Sequence, residues 1–333
     1  MNLRQIWIAL LRRGRFRFRI PLATLSLALV AGCGFSSTPQ TGETAANSRL
    51  SVVASYSVLC SMVEQVADDA VDLACLIDYD RDPHTYEATP ADRRAIEQAD
   101  ATFYAGMNFE PSVIQMVEAT RTNAPKVAVH EVAVEDTIEV QDTGALEPDP
   151  HIWHDVANGI RMVALITETL TEIDPDNAAQ YAARAADLTA ELEQLHAWIP
   201  EQIATIPENQ RRLVTTHDAM NYYARAYGFT VEGTLLGLTT EQEPTAAQVR
   251  RLSESIQAAN IPTVFAELTS NDRVLATVAN EANVEISDRV LIADGIGQQG
   301  TPSGSYQGMV EYNTCVIAEG LGGRCVPFAG AEE

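Results

Sequence analysis

Asp-Pro-His occurs twice in this chain, in RDPHTYEATP from residue 81 and in PDPHIWHDVA from residue 148. Proline fixes its own φ and pushes the residue before it out of the helical region, so each histidine leaves a stiff piece of loop. His84 and His151 are therefore aimed side chains, and two aimed histidines in one chain point to one target. Two further groups share that setting. His217 closes the run RRLVTTHD, and Asp294 closes RVLIAD just before Gly295 and Gly297. Three imidazoles and one carboxylate suit a first-row divalent cation: nitrogen donors fit Zn²⁺, and a carboxylate that can bind through both oxygens admits Mn²⁺. Singly, a histidine at a strand end is more often a hydrogen-bonded structural group, and an Asp before Gly more often a turn or helix cap. The joint pattern of four such groups is what points to a metal.

The remaining histidines have other settings. His196 lies between Leu195 and Trp198 in a helical run, the ordinary place for a packed histidine, and His130 follows KVAV at a strand end beside Glu131. Neither is placed in the site. His154 would share a face with His151 if the stretch were helical, but one metal already has four donors without it. Glu87 and Glu267 are conceivable general bases of an exported zinc hydrolase, and read better as packing or supporting groups. No His-Glu-x-x-His occurs, and four protein donors leave no open position for water, so hydrolysis is disfavoured.

The elements that must carry these groups alternate. RLSVVASYSVLCSMVEQVA runs from a strand pattern into a helical one; VDLACLID, DATFYAG and KVAVHEV read as further strands, and TPADRRAIEQA opens with a Thr-Pro helix start. Such alternation gives mostly parallel sheets flanked by helices, with ligands beyond the carboxyl ends of the strands. From Asn158 the pattern turns helical, and NAAQYAARAADLTAELEQLHAWIPEQIATI continues so for nearly thirty residues, with Pro200 expected to bend or end it. Alternation then resumes to the end, where Gly322 and Gly323 close a last helix. The predicted fold is α/β, two lobes joined by one long helix: residues 49–175, a linking helix over 176–206, and 207–327.

Residues 1–32 read as a targeting segment, with Arg4, Arg12, Arg13, Arg15, Arg17 and Arg19 ahead of an apolar run from Ile20 to Ala31 that is short for a membrane span. The segment ends in Val30-Ala31-Gly32-Cys33, which resembles a bacterial lipobox in which Cys33 carries lipid; residues 33–48 read as a flexible tether. The chain has 22 basic and 46 acidic residues, a net charge of −24; removing the six arginines of the leader makes it −30. That balance argues against nucleic acid as a partner and is compatible with cations near the surface. Four cysteines remain after Cys33. In an exported chain they read as disulfides, with nearness favouring Cys60 with Cys75 and Cys315 with Cys325 among three possible connectivities.

Over nearly all of the mature sequence the chain resembles the solute-binding lipoproteins of bacterial zinc and manganese ABC importers (the metal-binding cluster A-I family). The matching stretches are DPHTYEATPADRRAIEQADATFYAGMNFEP, DPHIWHDVANGI, VTTHDAMNYYARAYG, TVFAELTSNDR, IADGIG and GSYQGMVEYN. The resemblance implies one transported Zn²⁺ or Mn²⁺ per chain, held by His84 and His151 from the first lobe and His217 and Asp294 from the second, with His154 outside. It implies a membrane permease with its ATPase as partner and a monomer anchored at the cell envelope through Cys33; the long helix, for its part, should limit the lobes to small rocking and local loop movement. Histidine at 217, where manganese members often carry Glu, favours zinc slightly; the histidine-poor segment EVAVEDTIEVQDTGALEPDPH, where many zinc members have a His-rich loop, tells against a zinc specialist. The same scaffold could also serve as a metal-binding surface adhesin.

Overall fold

In the computed structural model, residues 49–329 are described apart from 143 and 271; the expected leader, Cys33 and the tether lie outside them. The first lobe is built from strands β1 (Leu50–Tyr56), β2 (Val71–Ile77), β3 (Ala101–Tyr104) and β4 (Lys126–Ala128), all parallel in the order β2-β1-β3-β4. Parallel strands need crossovers, and these are α1 (Ser57–Ala67), α2 (Pro90–Gln98) and α3 (Pro111–Ala119). Because β1 feeds β2 on one side and β3 starts on the other, the order reverses between β1 and β3, and a crevice opens at the carboxyl ends of the strands there. The start of α2 is fixed by Thr89, whose hydroxyl accepts from the Asp92 amide while Asp92 accepts from the Thr89 amide.

KVAVHEV, expected as one strand, is divided: β4 ends at Ala128 and a short helix, α4 (Val129–Ala133), takes over, so His130 sits on a helix. The acidic segment that follows, to which the sequence reading gave no strand, folds into an antiparallel hairpin of β5 (Glu139–Asp142) and β6 (Ala145–Pro148). It returns the chain to the second Asp-Pro-His.

Next come α5 (Val156–Ile173) and α6 (Ala178–Ile203), somewhat shorter than the 176–206 expected. At ~1.5 Å per residue α6 is about 39 Å long. Pro200 stays inside it, near enough to the end that only the last turn is affected. The helix lies along α5 and touches α1 and α10 (Tyr306–Gly320).

The second lobe repeats the logic of the first with shorter strands. β7 (Arg212–Thr215) pairs in parallel with β8 (Thr230–Thr234), and β9 (Thr263–Val264) with β10 (Glu285–Ile286). Single parallel bridges, Thr215 with Phe265 and Glu267 with Leu291, extend this pairing, so RVLIAD contributes one bridge rather than a full strand. The strands are crossed over by α7 (Asn221–Tyr227), α8 (Ala246–Ala259) and α9 (Asp272–Ala282). Disulfides tie Cys60 of α1 to Cys75 of β2 and Cys315 of α10 to Cys325.

One buried apolar core runs without a break from Val52 through Trp153, Ile166, Leu192 and Tyr223 to Phe328, crossing both lobes. A smaller second core, with Val214, Leu252, Val264 and Val278, fills the space between the second sheet and α8 and α9.

Candidate metal centre

Both Asp-Pro-His stretches fold the same way. The Asp82 Oδ1 accepts the His84 amide at 2.9 Å, and the Asp149 Oδ1 accepts the His151 amide at 2.9 Å. The aspartate thus closes an Asx turn around the proline and fixes the histidine backbone. His84 stands in the loop between β2 and α2, and His151 in the turn after β6. His217 follows β7, and Asp294 follows the bridge at Leu291. Each side chain therefore leaves the end of an extended segment, and none of the four is more than 2% exposed.

One donor atom from each of these residues lies within 4.8 Å of all the others. His151 Nε2 is 3.3 Å from His84 Nε2 and 3.2 Å from His217 Nε2. Asp294 Oδ1 is 3.7, 3.4 and 3.3 Å from Nε2 of His84, His151 and His217. A tetrahedral ion with nitrogen bonds of ~2.0–2.1 Å needs donors about 3.3–3.4 Å apart, and these five edges cluster around that figure. The donor set fits a cation on a second count. Both carboxylate oxygens of Asp294 are buried with no hydrogen-bond partner, a costly state for a charge unless a cation meets it.

The far nitrogens of the rings decide which way the near ones face. His151 Nδ1 bonds Asp149 Oδ1 at 2.8 Å, and His217 Nδ1 bonds Glu267 Oε2 at 2.5 Å. A carboxylate at Nδ1 holds the proton there and leaves the Nε2 lone pair aimed inward, the arrangement metal-binding histidines need. His84 differs, because its buried Nδ1 has no partner; the Phe109 ring stands edge-on to it with centroids 4.9 Å apart.

These neighbours set the proton affinities. Burial disfavours charge on His217, but Asp294 and Glu267 outweigh it and hold the imidazole well above its ordinary value. His151 is likewise raised, burial being overcome by Asp149 and Asp294. His84 is lowered, because burial wins over Asp294. For Asp294 burial works upward, yet His217 and the other two imidazoles hold the carboxyl well below the usual range. Metal ligands bind in their deprotonated forms, so a cation at these residues would compete with protons at His151 and His217, whose affinities are raised.

The excluded histidines have other work. His154 sits in a short 3₁₀ turn, where its Nε2 donates to the Ala293 carbonyl at 2.9 Å and steadies the residue before Asp294. Asn313 of α10 clamps Ile292 through both its amide and its carbonyl, and Ser57 Oγ accepts the Ile296 amide. His130 is hydrogen-bonded to the Tyr56 hydroxyl at 2.9 Å beneath the centre, while His196 reaches Tyr227 at 3.0 Å. Burial drives His130 down to about 3 and His154 to about 4, so both are neutral. Glu87 is exposed, whereas Glu267 is 3% exposed and supports His217. Phe109 packs against Tyr56, His84, His151 and Trp153, and it is presented by a turn in which Gly106, Met107 and Asn108 all have positive φ. Two carboxylates hold that turn, Glu110 accepting the Ala105 amide and Glu131 the Met107 amide.

The family described as ZnuA, zinc-uptake complex component A periplasmic, matches residues 52–320. The manganese-binding lipoprotein MntA of Halalkalibacterium halodurans is 32% identical over 294 residues, 88% of this chain and 94% of that protein. The manganese ABC transporter substrate-binding lipoprotein PsaA of Streptococcus pneumoniae is 31% identical over 285 residues, 84% of this chain and 91% of its own. Among solved structures, the periplasmic zinc binding protein TroA from Treponema pallidum superposes with a TM-score of 0.78 at 29% identity, covering 82% of this chain and 99% of that one.

Proposed function

The chain belongs to the ZnuA family of metal-uptake components, and from that membership we propose that it captures one divalent cation among His84, His151, His217 and Asp294 and hands it to a membrane permease. As the metal-binding, substrate-binding component of an ABC importer it works outside the cytoplasm with a permease and an ATPase, and it is not an enzyme. The observation that carries the site assignment is the buried, unpartnered Asp294 carboxylate facing three imidazole nitrogens at 3.3 to 3.7 Å.

We place zinc slightly ahead of manganese. Three nitrogens and one carboxylate oxygen at near-tetrahedral spacing suit Zn²⁺, which also lies above Mn²⁺ in the usual affinity order. The names of the manganese-binding relatives favour the second reading, manganese. Lipidation at Cys33 and action as a monomer complete the proposal; the Ala-Gly-Cys sequence and the lipoprotein relatives support the anchor.

The test is elemental analysis of residues 49–333, stripped of metal and then offered zinc and manganese together. One ion per chain, zinc in excess, lost in His84→Ala and in Asp294→Ala, is the expected result. Folded protein that retains no stoichiometric metal overturns the assignment, and manganese in excess reverses the order of the two metals.

A further inference from the structure

With all four donors at most 2% exposed, an ion reaches the centre only where part of the cleft opens. Next to residues that adjoin the donors lies a cavity of about 200 Å³, walled by the second lobe and closed on one side by Asp82 of the first. Its wall is rich in oxygen: Asp82, Thr216, Thr240, Glu243 and Ser270 all line it. Three of these adjoin the donors. Asp82 caps the His84 amide, Thr216 precedes His217, and the Ser270 hydroxyl bonds the Glu267 carboxylate that holds His217. Thr216 Oγ1 is buried and has no hydrogen-bond partner.

One hydrogen bond spans this cavity from lobe to lobe. The Thr240 hydroxyl donates to Asp82 Oδ2 at 2.5 Å, while Oδ1 of the same carboxylate holds the His84 amide. The loop carrying His84 is thereby fastened to the second lobe through Asp82. His84 is also the one ligand-type histidine of the centre whose Nδ1 has no partner, so its ring lacks the carboxylate that holds His151 and His217 from behind. A larger cavity of about 430 Å³, lined by Glu64, Tyr79 and Ile296 among others, approaches Asp294 from the opposite flank. There Ser57 ties the Ile296 backbone to α1, and the Cys60–Cys75 disulfide fixes the wall.

We propose that the smaller cavity is an antechamber for a hydrated divalent cation, and that the Thr240–Asp82 hydrogen bond is the latch that frees the His84 loop when the ion enters or leaves. This rests on the four-donor capture reading above. Exposed Glu243 at the rim draws cations inward, and release of the latch lets His84 turn aside as the last waters are exchanged for imidazole.

Stopped-flow kinetics of the full soluble domain tests this, following fluorescence from Trp153, whose ring lies 5.4 Å from that of His151. A hydrogen bond to a charged group is strong enough that its loss in Thr240→Val should speed chelator-driven dissociation of Zn²⁺ about tenfold. Thr240→Ser should restore the parent rate. Glu243→Gln should slow association about two- to threefold and flatten its dependence on salt. Stoichiometry stays at one ion per chain throughout. Parent rates in both Thr240→Val and Glu243→Gln, with the ion still bound, overturn the antechamber and leave the capture reading standing. Altered rates in Glu64→Gln instead move the route to the opposite flank and equally overturn it. A parent protein that binds no ion sinks the capture reading and this proposal together. Should Thr240→Val fail to fold, Thr240→Ala takes its place, with the same tenfold faster dissociation expected and a parent rate overturning the latch.

Discussion

Glu110 holds a carboxyl group in the dry interior for the sake of one backbone turn. It accepts the Ala105 amide with one oxygen and leaves the other without a partner, and burial pushes its pKa up to about 7. The folded state therefore binds this proton more tightly than the unfolded chain does, so stability falls as pH rises from the ordinary carboxyl value of 4.5 to about 7, by on the order of 3 kcal/mol in all. His130 and His154 act in the opposite sense: neutral when folded, they favour the unfolded chain as pH falls below about 6.5, where free imidazole takes up protons. Glu110→Gln keeps an acceptor for Ala105 and removes the charge. Its melting temperature, measured without metal, should exceed the parent's at pH 8, with the gap closing by pH 5. An equal gap at both pH values would show that the carboxyl ionises without penalty.

Among the elements, α5 and α10 meet closely at one point, Gly159 against Tyr306. A Cβ added at Gly159 of α5 would lie 2.2 Å from the Tyr306 hydroxyl, which donates to the Trp153 carbonyl at 2.7 Å between His151 and His154. Gly159→Ala should therefore overpack this crossing and destabilise the fold by about 1–3 kcal/mol, visible as a lower melting temperature; an unchanged one would mean that Tyr306 has room to retreat. Such approaches mark the limit of what the sequence discloses. The alternation of strands and helices was legible, because hydrophobic period and the Asp-Pro-His loops are local signals, whereas element ends such as those of KVAVHEV and RVLIAD were not. The hairpin of β5 and β6 was not, since its acidic, exposed strands bury too little for a clear period. Neither were the partners of the donors. Asp149 is two residues from His151 and could be guessed, but Glu267 reaches His217 from 50 residues away and His154 reaches Ala293 from 139. Contacts of that kind depend on tertiary approach, for which a single sequence carries no period or spacing.

At the largest scale, the described residues form two lobes that share a core. Val52 and Phe328, from opposite ends of the described chain, belong to one continuous apolar cluster, and α6 lies against helices of both halves. Wide separation of the lobes would expose that cluster to water at a cost of ~25 cal/mol per Å² of apolar surface, which opposes a wide hinge motion. Small-angle scattering should accordingly give nearly the same radius of gyration with and without bound zinc; a clear contraction on binding would show that the core parts. Loaded and empty protein then present almost the same silhouette to any partner at the membrane. The news that an ion has been captured must be written in the few loops around the cleft, and a receptor has to read it there as a local inscription.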